Sequence, residues 1–193
     1  MIYINDQTGQ MDLDGALAAV SRQRRDHAMR YRSVHDRRLS VAAYQLLQQG
    51  LSAEYGITEP PSFGFGPHGK PVLEAYPHIH FSLSHCHEAA ACVIASSPVG
   101  IDVESLSHYD AGLVPQVMNR DEQREIAASP RPEYAFIRLW TMKESLLKMT
   151  GEGMAGDMRH VLDGLSVGSA SIRFHTTVFP RFICTVCYLS PAE

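Results

Sequence analysis

The chain has 193 residues, 45% hydrophobic and 20% charged, the balance of an ordinary globular protein long enough to bury a sizeable core. A net charge of −4 argues against general nucleic-acid or anionic-membrane binding, and no run approaches the length of a membrane span. The N-terminus lacks the basic-then-apolar order of an export signal, so Cys86, Cys92, Cys184 and Cys187 are expected as reduced thiols in a cytoplasmic protein.

In chain order, Met1–Asn5 reads as a short strand and Leu13–Arg25 as a first helix, apolar then basic. A basic region follows, with Arg22, Arg24, Arg25, Arg30, Arg32, Arg37 and Arg38 against Asp26 and Asp36. On an acidic protein it suggests a local anionic ligand. Asp36–Gly50 predicts a stronger helix, with Leu39, Ala43, Leu46 and Leu47 on one side and Gly50 as its stop. Glu59–Pro71, dense in Gly and Pro, reads as a loop. His80–His85 and Ala89–Ser96 read as strands joined by a tight turn, followed by a strand at Val99–Glu104. Asp121–Ala128 predicts a short helix, Glu133–Met149 a long one stopped by Gly151 and Gly153, and Ser171–Thr177 and Arg181–Leu189 a strand pair around Pro180. A long helix, a glycine-containing loop and a hairpin thus occur twice. The expectation is an α+β protein of two similar lobes, 1–97 and 98–193. Each would be a long helix on a small antiparallel sheet, with pseudo-twofold symmetry and the active site in the cleft between them.

Two segments carry chemistry. In Gly100-Ile101-Asp102-Val103-Glu104, a strand points both carboxylates to one face. In Trp140-Thr-Met-Lys143-Glu144-Ser-Leu-Leu-Lys148, a helix puts Glu144 and Lys148 on one face. Taken singly, the first is a strand turning into solvent and the second a surface pair of about 0.3–0.5 kcal/mol. Together, three carboxylates with lysines are what a hard divalent cation and a phosphate require. Gly69-Lys70-Pro71 presents a lysine where glycine allows close backbone approach, without the spacing of a Walker loop. Ser84 and His85 end a strand, and His85 can bond a phosphate or act as a base. His78, His80, His85 and His87 offer a competing zinc-, copper- or iron-type site, which leaves the acids and lysines without roles. Cys184 and Cys187 have the spacing of a metal pair, but on a strand they face opposite sides and no second pair exists; packed thiols are expected.

In order, Gly69-Lys70-Pro71, Phe81-Ser82-Leu83-Ser84-His85, Gly100–Glu104 and Trp140–Gly153 resemble the motifs of the 4'-phosphopantetheinyl transferases of the Sfp type, pseudo-dimeric monomers that activate carrier proteins. The motifs cover residues 69–153, and Arg22–Arg38 extends the likeness towards the N-terminus. The resemblance implies transfer of the phosphopantetheine arm of coenzyme A to a serine of an apo acyl or peptidyl carrier protein, in fatty-acid, polyketide or nonribosomal peptide synthesis. Adenosine 3',5'-bisphosphate would be released. Asp102, Glu104 and Glu144 would hold Mg2+, with Mn2+ as a substitute, and Asp102, Glu144 and Lys148 would be catalytic. Lys143 and Lys148 would lie on the catalytic helix against coenzyme A, which Lys70, Pro71, Ser84 and His85 would also contact. Arg37 or its neighbour Arg38 would pair with the 3'-phosphate, and the Arg-x-Leu pattern favours Arg37. Whether Glu144 or a water on the metal takes the serine proton stays open. Lys148, ringed by acids, is expected to stabilise or protonate the leaving phosphate. The chain is shorter than typical members and has Ser82 where Asn is common. A coenzyme A sensor on the same fold is the non-catalytic alternative, against which the intact set Asp102, Glu144 and Lys148 argues.

Overall fold

The computed structural model describes residues 1–153, 156–163, 165–167 and 170–190. Strand β1 (Ile2–Asn5) leads through a short 3-10 turn into two helices where the sequence predicts one: α1 (Leu13–Ala18) and α2 (Arg22–Ala28). The break comes from Ser21, whose hydroxyl accepts the Arg24 N–H and so caps a new helix start. Helix α3 (Val34–Tyr55) is capped in the same way by Ser33, which accepts from His35 N and Asp36 N. It passes through Gly50 and stops at Gly56, whose φ of 68° is left-handed.

Gly50 is therefore a contact and not a terminator. A Cβ there would collide with Ile94 Cδ1 and lie 2.7 Å from Tyr3 Cε2, so the bare backbone lets α3 rest directly on its sheet. That sheet runs β1-β5-β4, antiparallel, with β4 (His80–His85) and β5 (Ala90–Ala95). Where the sequence predicts a loop over 59–71, a small hairpin forms from β2 (Phe63–Phe65) and β3 (Pro71–Leu73), running two residues past that loop. Its base is fixed by Phe63, stacked on Phe81 at 5.3 Å and edge-on to Tyr44 at 5.7 Å.

The second half begins with β6 (Val99–Ser105), then α4 (Val114–Val117), α5 (Arg120–Ala128) and α6 (Pro132–Thr150). Asn119 and Glu122 form a capping box at α5; Pro132 opens α6 and Gly151, at φ 78°, closes it. Strands β7 (Ser166–Val167), β8 (Ala170–Val178) and β9 (Phe182–Ser190) complete an antiparallel sheet in the order β6-β9-β8-β7. Helix α6 packs on β6 and β9. Cys184 lies in the core with Val103 and Val186, and Cys187 lies with Leu146 and Met149 on the other face. The alternation expected of that strand is thus observed, and all four cysteines are free and buried.

Edge strands β4 and β6 meet where the halves join. The Ser82 hydroxyl accepts from Ile101 N (3.1 Å) and the Ser84 hydroxyl from Val103 N (3.2 Å), so side chains replace a backbone ladder along this seam. One apolar cluster spans it, with Ala91 and Val93 of β5 against Ile101 and Val103 of β6. Among the described residues no helix is long and apolar enough to cross a membrane.

At Gly100 the approach is tighter than at Gly50. A Cβ would collide with Ser145 O and lie 2.5 Å from Met149 N, backbone atoms that cannot rotate away. Gly50→Ala presses only on side-chain ends and is expected to lower stability by about 1–3 kcal/mol, whereas Gly100→Ala should exceed the top of that overpacking range, about 3 kcal/mol. Chemical denaturation of the two variants checks the ranking.

Candidate active site

Asp102, on β6, is 5% exposed. Its Oδ1 accepts from Ser84 Oγ (2.8 Å) and from Lys148 Nζ (2.6 Å), while its Oδ2 is buried without a partner. Ser84 is a hub: its hydroxyl accepts from Val103 N and from Lys148 Nζ (3.0 Å) and donates to Asp102. Glu144, one turn before Lys148 on α6, also has a buried, unpartnered oxygen, Oε1. Burial pushes its carboxyl above the ordinary range and the charge of Asp102 adds to this, with Lys148 pulling back. Glu104 is raised by burial too; Ser105 N (2.8 Å) and the ring of His108 (2.8 Å) hold its Oε1.

All three carboxylates, with Ser84, His85, Trp140 and Lys148, line a cavity of about 460 Å³. A second cavity of about 370 Å³, walled by His68, Gly69, Lys70, Phe81 and Leu147, shares Pro71, Leu83, Glu144 and Lys148 with the first. They form one cleft with Glu144 and Lys148 at its waist. The donors are hard carboxylate oxygens, two of them orphaned in buried positions, which suits Mg2+ or Mn2+ better than a soft metal. Among the described residues no three His, Cys, Asp or Glu side chains are gathered into a finished cage; Lys148 stands on Asp102 instead. The histidines are dispersed: His85 faces Tyr31 with ring centroids 5.8 Å apart, and His87 faces His35 at 4.4 Å.

Several expected contacts lie elsewhere. Lys143 is fully buried, its ammonium donating to Glu122 Oε2 (2.8 Å), Met158 O (2.7 Å) and Val117 O (3.2 Å). It lines neither cavity of the cleft, where it is expected against coenzyme A, and instead binds α5 and the chain after α6 to the helix. Lys70 walls the smaller cavity, but its ammonium donates to Met149 O (2.9 Å) and Val99 O (3.4 Å), and burial pulls its pKa down. Neither Arg37 nor Arg38 lines the cleft. Arg37 Nε donates to Tyr31 O (2.9 Å), and Arg38 Nε is buried without a partner.

The basic wall is formed by Arg24 and His27 of α2, followed by Tyr31. Arg24 donates to Ser40 Oγ (2.8 Å) and to Ser40 O, and its guanidinium lies 5.8 Å over the Tyr44 ring. Burial pulls its pKa down to about 10, still a cation at neutral pH. The signal is present in sequence: Ser21 as a cap sets a helix register in which positions 24 and 27 fall on one face, with Tyr31 just beyond the helix end.

Residues 98–189 match the sequence model of the 4'-phosphopantetheinyl transferase superfamily. The chain is 29% identical over 193 residues to the 4'-phosphopantetheinyl transferase psf-1 of Bacillus pumilus, spanning 98% of this chain and 82% of that one. It is 28% identical over 192 residues to a 4'-phosphopantetheinyl transferase of Bacillus subtilis, spanning 95% and 84%. Nearly half of the chain thus carries the sequence signature of the 4'-phosphopantetheinyl transferase superfamily, and nearly all of it aligns with two 4'-phosphopantetheinyl transferases. A third relative, the 4'-phosphopantetheinyl transferase gsp of Aneurinibacillus migulanus, is 32% identical over 138 residues, 70% of this chain and 57% of that one. The stretch matched to the superfamily holds Asp102, Glu104, Glu144 and Lys148, whereas Arg24, Lys70, Ser84 and His85 precede it. The cleft is thus built from both halves of the chain.

Two outcomes follow. Lys143→Ala strands the buried Glu122 carboxylate and should cost about 3–5 kcal/mol, most of it recovered when Glu122→Leu is combined with Lys143→Met; denaturation curves test this. Glu144 and Glu104 have folded-state pKa values raised above their unfolded ones. Their cost is therefore full above the raised values and is relieved as pH falls through them towards 4.5, the ordinary value. In EDTA, Glu144→Gln should accordingly melt higher than the parent at pH 7, and the difference should shrink on acidification.

Proposed function

We propose that this protein is a Mg2+-dependent 4'-phosphopantetheinyl transferase of the Sfp type. It moves the phosphopantetheine arm of coenzyme A onto a serine of an apo acyl or peptidyl carrier protein and releases adenosine 3',5'-bisphosphate. The observation that carries this reading is the shared cleft. There, Asp102, Glu104 and Glu144 line one cavity with Lys148, together with the basic wall of Arg24, His27 and His85. An acidic centre suits a divalent cation, and a positive wall beside it suits a phosphorylated nucleotide.

Asp102, Glu104 and Glu144 would hold Mg2+, which would supply charge neutralisation for the diphosphate. The residues of the chain do the rest. Ser84 fixes the Asp102 carboxylate and the Lys148 ammonium in mutual register. Glu144, its carboxyl raised by burial, takes the proton of the carrier serine on the oxygen it does not give to the cation. The serine oxygen forms its bond to the β-phosphorus as the bond to the leaving adenosine bisphosphate breaks, and Lys148 stabilises the charge on that leaving phosphate. Arg24 and His27 hold the 3'-phosphate in place of Arg37. The two halves, 1–97 and 98–193, are read as lobes related by a pseudo-twofold axis, so that one chain closes the cleft as a monomer. Four buried free thiols suit a cytoplasmic setting.

Intact mass spectrometry of an apo carrier protein incubated with this protein, coenzyme A and Mg2+, beside an EDTA control, tests the reading. A metal-dependent gain of one phosphopantetheine group is expected. Coenzyme A binding with no gain on fatty-acid or synthetase carriers would replace the enzyme with a non-catalytic binder. Asp102→Ala should abolish the gain with the fold retained, and near-normal turnover would overturn the site. Lys148→Ala should lower kcat far more than coenzyme A affinity.

A further inference from the structure

We propose that Lys70 is a positioning residue, a latch that pins the β2–β3 hairpin to the C-terminal end of α6, and not a ligand of coenzyme A phosphate. This rests on reading the cleft as the coenzyme A site, but the contacts themselves do not depend on it. Among the described residues the hairpin strands pair only with each other, and a two-stranded ribbon is marginal alone. Its base is packed through Phe63 and through Leu73, 2% exposed. Among the described residues, the hydrogen bonds of its tip are the turn bonds Gly66 N to Lys70 O and Gly69 N to Gly66 O (both 2.9 Å) and those of the Lys70 side chain.

That side chain leaves the hairpin and reaches the other half of the molecule. Its ammonium donates to Met149 O, in the last turn of α6, and to Val99 O, the first residue of β6. Carbonyls of a last helical turn lack intrahelical donors and lie at the negative end of the helix dipole, so a cation there is favoured twice over. The lysine stem is seated as well. A Cβ at Gly151 would lie 3.3 Å from Lys70 Cδ and 3.6 Å from its Cβ, so the helix-terminating glycine also leaves room for the stem. The residues so fixed, Gly69 to Pro71, wall the smaller cavity together with Leu147 and Lys148 of the same helix. The latch therefore sets the gap across which the hairpin faces Lys148.

Hydrogen exchange of the free protein reads the latch without any need for activity. In Lys70→Met, the amides of Gly66 and Gly69 should exchange about tenfold faster or more, the equivalent of one charge-assisted hydrogen bond lost, with protection of α3 and α6 unchanged. Lys70→Gln, which still donates to a carbonyl but carries no charge, should keep most of that protection and bind coenzyme A in EDTA within about twofold of the parent. Unchanged exchange in Lys70→Met overturns the proposal whatever the activity. So does Lys70→Gln with protection intact and coenzyme A affinity down about tenfold, the mark of a phosphate contact that needs the charge. Should Lys70→Met fail to fold, Lys70→Gln decides by the same two readings. Absence of carrier modification by the parent protein would sink the transferase reading and leave the exchange result standing.

Discussion

Helix α6 can touch the backbone of β6 because position 100 has no side chain. Contact between two backbones is closer than side-chain packing normally permits, and the site depends on it. Asp102 lies two residues beyond that contact on the strand, and Glu144 immediately precedes Ser145, whose carbonyl makes it. With the elements that close, the Asp102 charge is felt at Glu144 and at Glu104. Acids pushed together in a partly dry cleft are an unfavourable arrangement in the absence of a cation. The fold holds it by means of an apolar core that runs under the seam.

The two lysines of α6 show how the same side chain is put to opposite uses. Lys143 is sealed, with every contact inside the protein and a partner carboxylate that is itself the capping-box residue of α5. A buried pair of this kind costs desolvation on both sides and adds little net stability; its value lies in specifying one docking of three segments. Lys148, five residues along, is open to the cleft and pairs with an aspartate that keeps one oxygen free. The first arrangement resists change, and the second is one that a stronger cation can rearrange.

Much of this was legible in the sequence, and the limits are instructive. Strand alternation and the D-x-E pattern located Asp102 and Glu104, and the i,i+4 rule placed Glu144 with Lys148, because those readings need only local periodicity. The interruption at Ser21 was also locally encoded, as a cap inside a run that otherwise reads as one helix. Gly50 looked like a stop because its partners, Tyr3 and Ile94, are remote in sequence. The hairpin at 63–73 was hidden by its own Gly and Pro content, and it holds through the long-range stacking of Phe63 on Phe81. Lys70, Lys143 and Arg37 have partners inside the protein that residue identity does not show. Each donates to a backbone carbonyl, and a carbonyl acceptor leaves no trace in residue identity.

The serine seam has a further consequence, for the solubility of the chain. Strands β4 and β6 are each the outermost member of a sheet, and exposed outer strands invite pairing with other copies. Here each covers the other, and two hydroxyls occupy N–H groups of β6 that would otherwise be available to a neighbour. Prising the halves apart would uncover both edges at once, together with the apolar strip between them. Closing the seam keeps those edges out of reach, and Ser82 and Ser84 do this from the floor of the cleft.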